Sequence, residues 1–307
     1  MTLLLGSLQL GLIYGLLALG IYITFRILNI PDLTADGSFT LGLSVSAALT
    51  VAGHPNWGIA AALAAGAAAG GVTGLLQTKL GIHPILSGIL TMSGLYTVNL
   101  LILGSRSNVS LIGSDGIFEI VRDLFSLDKN LAKTIVPAIY CLVAAVILIW
   151  FFKTHLGLCI RATGDNEDMV RASSINVDYM KIIALSIANA LVALSGAVIA
   201  QYQGYADLSS GVGTVVVGLA SVIIGEVFFG KRSIVVGFIS AVTGAIAYRF
   251  IIALALKSDF FPAYALKLVS AVIVIIALSI PTIKERLQIA RIKNNARRAA
   301  READANA

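Results

Sequence analysis

The sequence offers few side chains that could act as metal ligands or catalytic groups. It contains three histidines and two cysteines, and none of them has the His-Glu-x-x-His or Cys-x-x-Cys spacing typical of metal sites. Residues 225–231 read GEVFFGK, which follows the phosphate-loop pattern, but Arg232 occupies the position where Ser or Thr would hold magnesium. We therefore expect no catalytic residue, metal site or nucleotide site in this chain.

The composition indicates a membrane protein. Of the 307 residues, 58% are hydrophobic and only 12% are charged, with a mean hydropathy of +0.91, whereas an average soluble domain has about 25% charged residues. A helix crosses the roughly 30 Å hydrocarbon core with about 20 residues. We therefore predict an all-α, polytopic transmembrane domain over 1–283, followed by a basic tail over 284–307. Eight or nine apolar spans are predicted, at approximately 3–25, 38–53, 57–78, 84–104, 132–152, 181–201, 213–230, 233–256 and 263–283.

The positions of Lys and Arg predict the orientation, because positive loops stay on the cytoplasmic side. Nine spans with the N-terminus outside place most of the 22 basic residues inside, including those of the segment 153–180 and of the tail. The outer segment 105–131 has the spacing of an amphipathic helix lying on the membrane surface. The net charge of +6 is thus explained by topology and a tail that can contact lipid, without nucleic-acid binding.

A break separates the first two predicted helices. Residues 29–38 read NIPDLTADGS, in which Pro31 and Gly37 disrupt a helix and Asp36 or Ser38 could cap the next one. At membrane depth, unwound backbone and carboxylates survive only inside protein or beside a water-filled cavity, and they often line a transport path. The alternative is a cytoplasmic turn with two solvated aspartates.

Further polar residues extend this hypothesis of a path. Arg249 is an intramembrane charge and hence a functional candidate, unless its long side chain reaches the outer face. The tyrosines near the outer end of the sixth span could contact substrate or anchor the helix at the membrane boundary. Glu226 is explained by a local ion pair with Lys231 or Arg232. The predicted path residues are Asn29, Asp32, Thr34, Asp36, Ser38, Gln201, Tyr202, Tyr205 and Arg249.

Three glycines in the third span are spaced by four residues. Gly66, Gly70 and Gly74 lie on one stripe of a helix and allow another backbone to approach closely. We predict that the stripe packs against a helix of the same subunit, with a subunit interface as the alternative.

The cytoplasmic segment 153–180 has no stretch long enough to cross the membrane. Asp165 could cap a short helix running to Ser174, in which Glu167 lies four residues before Arg171. Such a helix is too short to be stable alone. We predict that a partner holds it, the alternative being a solvated loop.

Three stretches resemble the permease subunits of bacterial ABC importers for branched-chain amino acids, ribose and related nutrients. Residues 161–177 resemble the ATPase-coupling loop of that family, 30–38 the loop after its first shared helix, and 225–237 a third signature. The form NIPDLTADGSF is most similar to a branch associated with binding proteins for tryptophan or tyrosine. Ser174 departs from the pattern, which usually has Gly there. The resemblance implies that ATPase coupling involves Arg161, Gly164, Asp165, Asn166, Glu167, Arg171, Ser174 and Ile175.

The resemblance implies a transport subunit without enzymatic activity of its own. It would sit in the bacterial cytoplasmic membrane, dimerise with a second permease subunit (a homodimer by preference), receive its substrate from an extracytoplasmic binding protein and dock two cytoplasmic ATPases, which hold the ATP and magnesium. The substrate would be an amino acid, aromatic if the branch is the right one, or a sugar. The competing classes are a secondary transporter that uses Asp32, Asp36 or Arg249 for ion coupling, and a channel, for which we find no selectivity-filter segment.

Overall fold

The computed structural model describes residues 2–126, 128–230 and 233–257, together with isolated residues beyond 257. Within these residues the chain is a multi-pass helical membrane protein, with seven helices long and apolar enough to cross a membrane. The predicted ninth span, 263–283, lies largely outside the described residues. Almost all of the basic tail, 284–307, also lies outside the described residues, as do Lys231 and Arg232.

The helices follow the predicted spans closely, with one short two-stranded ribbon between them. Pro55 and Pro84 stand in the first turns of α3 and α4, where the missing backbone donor costs nothing. The elements are α1 Thr2–Tyr22, a π-helical segment Ile23–Ile27, α2 Thr34–Val51, α3 Pro55–Thr78, α4 Pro84–Ile102, β1 Asn108–Ser110, α5 Ile117–Phe125, α6 Lys129–Phe151, α7 His155–Asp165, α8 Glu167–Ala172, α9 Val177–Gln203, β2 Tyr205–Asp207, a 3₁₀ turn Leu208–Gly211, α10 Thr214–Phe229 and α11 Ile234–Lys257.

Helix α9 lies at the centre of the bundle and is the most buried of the seven spanning helices. The glycine stripe of α3 faces it. A Cβ atom added to Gly70 would lie 2.2 Å from the Leu185 carbonyl oxygen, and one added to Gly66 would lie 2.5 Å from that of Asn189; at Gly74 it would be 2.9 Å from the Ile182 Cα. The backbones of α3 and α9 therefore touch, so the stripe packs within the subunit in the structure.

The bundle has two distinct ends. At one end, which we call the ribbon end, β1 pairs antiparallel with β2, with Asn108 opposite Asp207, and α5 lies beside them. At the other end α7 and α8 form the segment 153–180, which we call the docking loop after the partner-binding role predicted for it. Helix α1 continues into the π-helical segment at this end. Asn29, two residues beyond that segment, contacts the docking loop.

The docking loop differs from the prediction in one respect. The expected short helix is present as α8, but its predicted cap, Asp165, is wrong, because α7 runs to Asp165 and α8 begins after Asn166. The N-cap is Asn166, whose extended backbone ends α7 and whose Oδ1 accepts a hydrogen bond from the Met169 N–H at 3.0 Å. Ser174 adopts φ = 59°, the left-handed conformation that Gly occupies most easily.

Candidate functional site

The break between α1 and α2 contains a buried carboxylate. Asp32 is 7% exposed, its Oδ1 accepts a hydrogen bond from the Thr34 N–H at 2.9 Å, and its Oδ2 accepts one from the Asn189 Nδ2 at 2.8 Å. The bond to Thr34 satisfies an N-terminal donor of α2 and explains why α2 begins four residues before the predicted start. Asp32 is therefore not a solvated residue of a surface turn, and that alternative interpretation is wrong for it.

A polar layer continues from Asp32 between the neighbouring helices. The Thr34 Oγ1 lies 2.8 Å from the Thr73 Oγ1, and Thr73 donates to the Thr91 Oγ1 at 3.0 Å. Ser38 is fully buried on α2, and its hydroxyl has no partner among the described residues. The hydroxyls of Thr34, Thr73 and Thr91 tie α2, α3 and α4 together. Asn29 stands apart from them, because its Nδ2 donates to the Gly164 carbonyl of the docking loop at 3.1 Å.

Asp36 lies on α2, but its carboxylate caps the first turn of α10. Its Oδ2 accepts from the Gly213 N–H at 2.9 Å, and its Oδ1 accepts from the Val215 N–H at 2.8 Å and the Thr214 hydroxyl at 2.9 Å. The predicted capping of α2 by Asp36 or Ser38 is therefore replaced by a cross-helix cap on α10. A carboxylate there satisfies the free N–H groups and faces the positive end of the helix dipole.

Beside this cap lies a cavity of about 410 Å³. It is bounded by α2, by α4 and by the chain that links β2 to α10. It extends from the start of α2 towards the ribbon end, where Leu208 directly follows β2. Its size is within the range of small-molecule sites. The residues on its walls include Asp36, Thr40, Met92, Tyr96, Asn99 and Val212.

Three predicted path residues hold the ribbon end together. The Gln201 Nε2 donates to the Ser46 Oγ at 3.1 Å and to the Pro55 carbonyl at 3.2 Å, while its Oε1 accepts from the Ile117 N–H at 2.8 Å. Tyr202 donates to the Gln9 Oε1 at 2.9 Å, and Tyr205 belongs to β2. The Gln201 amide is thus occupied in joining α2, α3 and α5 to α9.

Arg249 points into the bundle. Its guanidinium lies 3.7 Å from the centroid of the Tyr14 ring, a cation–π contact. Because Gly11 and Gly15 of α1 pack against Ile246 and Val242 of α11 respectively, Tyr14 lies closer to the docking-loop end than Arg249 does. The side chain therefore extends away from the ribbon end instead of reaching towards it.

Close contacts connect the docking loop to the membrane helices. A Cβ atom on Gly164 would lie 1.7 Å from the Ile27 carbonyl oxygen, so only glycine lets α7 touch the π-helical segment. Arg26 of that segment forms an ion pair with Glu226 of α10, which sequence reasoning missed because 200 residues separate the partners. The predicted partners of Glu226, Lys231 and Arg232, lie outside the described residues.

Helix α8 is anchored on one side and exposed on the other. Val170 is buried, whereas Met169 is 58% exposed. Glu167 forms an ion pair with Lys181, and Arg171 forms one with Asp178, so both charges tie α8 to α9. Arg161 and Asp165 are exposed on α7, and Ile175 packs partly against the core. The loop thus presents a small, firmly held surface with an apolar side chain on it.

A multi-pass bundle with a half-buried carboxylate cap, a cavity and an anchored loop at one end is consistent with a transporter subunit. The chain belongs to the family described as the permease component of the branched-chain amino acid transport system, whose model matches residues 3–278. It is thus a permease of the ABC importer class, which the sequence resemblance predicted.

Curated relatives agree with the family. The chain is 36% identical to a tyrosine transport system permease protein of Clostridioides difficile over 270 residues, 88% of each chain. It is 31% identical to the ribose import permease protein of Escherichia coli over 171 residues, 54% of this chain and 51% of the relative. It is 28% identical to an autoinducer 2 import system permease protein of Yersinia enterocolitica over 243 residues, 78% of this chain and 64% of the relative. No solved structure matches significantly.

The cap on α10 can be tested by removing one of its acceptors. In Asp36→Asn an amide NH₂ replaces one carboxylate oxygen and faces N–H or O–H donors of α10, so a hydrogen bond to a charged group is lost. We expect a loss of about 1–3 kcal/mol of unfolding free energy, seen as a lower melting temperature in detergent. Asp123→Asn, at an exposed position on α5, is the control and should melt like the wild type. Equal melting temperatures for all three proteins would contradict the cap.

Proposed function

We propose that the chain is the non-catalytic transmembrane subunit of an importer for an amino acid, with a preference for aromatic ones. The observation that carries this proposal is the 36% identity, over 88% of both chains, to a permease named for tyrosine transport. A sugar is the second candidate substrate, because the match to a ribose permease covers about half of the chain. ATP hydrolysis would belong to a separate cytoplasmic ATPase dimer, and substrate would arrive from an extracytoplasmic binding protein. A second copy of this chain would complete the permease.

The proposed orientation follows from the charges at the two ends. The docking-loop end carries six basic residues, Arg26, Lys79, Lys153, Arg161, Arg171 and Lys181, whereas five described ones, Arg106, Arg122, Lys129, Lys133 and Lys257, lie towards the ribbon end. Positive loops remain in the cytoplasm. We therefore infer that the docking loop faces the cytoplasm, the ribbon end faces outwards and the protein lies in the bacterial inner membrane.

The docking loop is proposed to transmit the movement of the ATPases. Its contact with Ile27 through Gly164 and the Asn29 hydrogen bond join it to the π-helical segment. The ion pair between Arg26 and Glu226 joins that segment to the last turn of α10, and Asp36 holds the first turn of the same helix. A displacement of α7 would thus reach the cavity through one rigid helix.

The orientation predicts which surface is accessible from outside the cell. Asp115 and Asp168 are exposed near the ribbon end and on α8, respectively. In intact cells a membrane-impermeant maleimide should label Asp115→Cys and should label Asp168→Cys only after the membrane is permeabilised. The native Cys141 and Cys159 are buried, so the wild type measures the background. Labelling with the opposite sidedness would overturn the orientation.

The coupling role predicts an effect of the exposed apolar residue of α8. Met169→Gln removes apolar contact with a docked ATPase while Val170 still anchors the helix. We expect the lost contact to cost about 1 kcal/mol of binding free energy, which corresponds to roughly fivefold weaker ATPase association. Co-purification and substrate-stimulated ATP hydrolysis in reconstituted vesicles measure this effect.

The matched control for this variant is Leu80→Gln. Leu80 is 68% exposed in the turn between α3 and α4, outside the docking loop, and the change should leave both readouts near wild type. Glu167→Arg and Arg171→Glu would instead test the tether of α8, since each breaks an ion pair with α9. Wild-type association and coupling in Met169→Gln would contradict docking through α8.

A further inference from the structure

The cavity between α2, α4 and the β2–α10 connection has mostly apolar walls that include two acceptor side chains, Asn99 and Asp36. Asn99 of α4 is 1% exposed, and its Nδ2 donates to the Gly37 carbonyl at 3.4 Å. Its Oδ1 is buried and has no hydrogen-bond partner among the described residues. A buried acceptor without a donor is costly, and Asn99 is one of the residues that line the cavity.

A negative charge stands on the opposite wall. None of the ion pairs among the described residues includes Asp36, so its charge is offset only by the first turn of α10. A helix N-terminus is equivalent to about half a positive charge, which leaves the cavity wall net negative. The Asp36 Oδ2 accepts one hydrogen bond, from Gly213, and retains capacity for another.

The remaining wall is apolar and aromatic. Met92 and Tyr96 stand one turn apart on α4 and both line the cavity, and Tyr96 is 58% exposed. A thioether and a phenol ring offer contact surface to a flat, apolar side chain. Acceptors with negative charge on one side and apolar surface on another are complementary to an ammonium group attached to an apolar body.

We propose that this cavity binds the primary ammonium group of the amino acid during its passage, with Asn99 Oδ1 as an acceptor, Asp36 as the charge, and Met92 and Tyr96 against the side chain. The inference rests on the proposed function and deepens it, since it states which end of the substrate this cavity recognises. The cavity extends towards the ribbon end, so a substrate delivered from outside would reach it from that side. A carboxylate alone would be repelled, and a neutral polyol would gain no charge interaction.

The site can be tested by protection of a cysteine at its edge. Ser93 lines the cavity and is exposed, and the two native cysteines are buried. In the purified full-length Ser93→Cys protein in lipid nanodiscs, tyrosine and tyramine should slow maleimide labelling severalfold. Desaminotyrosine, which has the carboxylate without the ammonium, and ribose should not slow it. Protection by desaminotyrosine or ribose but not by tyramine, or no protection at all, would overturn the proposal.

Variants of Asn99 separate recognition from folding. On the Ser93→Cys background, Asn99→Leu removes the acceptor at similar volume and should abolish protection by tyramine, whereas Asn99→Asp keeps an acceptor and should preserve it. Gln77→Leu removes another buried, unpartnered amide, on α3 away from the cavity, and should leave protection intact. Equal loss in Asn99→Leu and Asn99→Asp would assign Asn99 a structural role and overturn the proposal.

A transport assay tests the proposed importer function separately from the ammonium site. ATP-driven uptake of labelled tyrosine into vesicles that contain the permease, its ATPase and its binding protein tests the function alone. Uptake without tyramine protection would reject the cavity as an ammonium site and leave the importer intact.

Discussion

The hydrogen bonds between the Asp36 carboxylate and the first turn of α10 are the contact on which the rest of the site depends. They fix where α10 begins, beside the start of α2. Because removing a carboxylate from water is costly without donors, the free N–H groups of α10 and the Thr214 hydroxyl stabilise the half-buried Asp36. The same contact forms one edge of the cavity, so the position of α10 and the shape of the cavity change together.

An ion pair holds the other end of α10. Glu226 is paired with Arg26, which belongs to the π-helical segment against which Gly164 of the docking loop packs. π-Helical turns inside helices are rare and frequently found at functional sites. A helix held by charge at both ends and packed against α11 and α1 would move as a rigid body. This geometry is what the proposed coupling between docked ATPases and cavity requires.

Much of the architecture could be predicted from the sequence, because apolar length and charge asymmetry are local signals. The spanning helices, the break at Pro31 and the docking segment follow from them, and the family follows from three short motifs. The partners of Asp36 and Glu226 could not be predicted, because they lie far away in the sequence and depend on how helices pack. Asn99 also escaped, since one amide in an apolar run has no local pattern that distinguishes a packing residue from a ligand contact.

We infer that the docking loop acts on the cavity through Arg26, Glu226 and α10, and a swap of the two charges is the sharpest test of this coupling. In vesicles with the ATPase and binding protein, Arg26→Gln and Glu226→Gln should each retain ATP hydrolysis but lower the amount of tyrosine taken up per ATP. The double variant Arg26→Glu/Glu226→Arg should restore much of that ratio, because it re-forms the ion pair. A wild-type ratio in both single variants, or a double variant no better than either, would contradict the account.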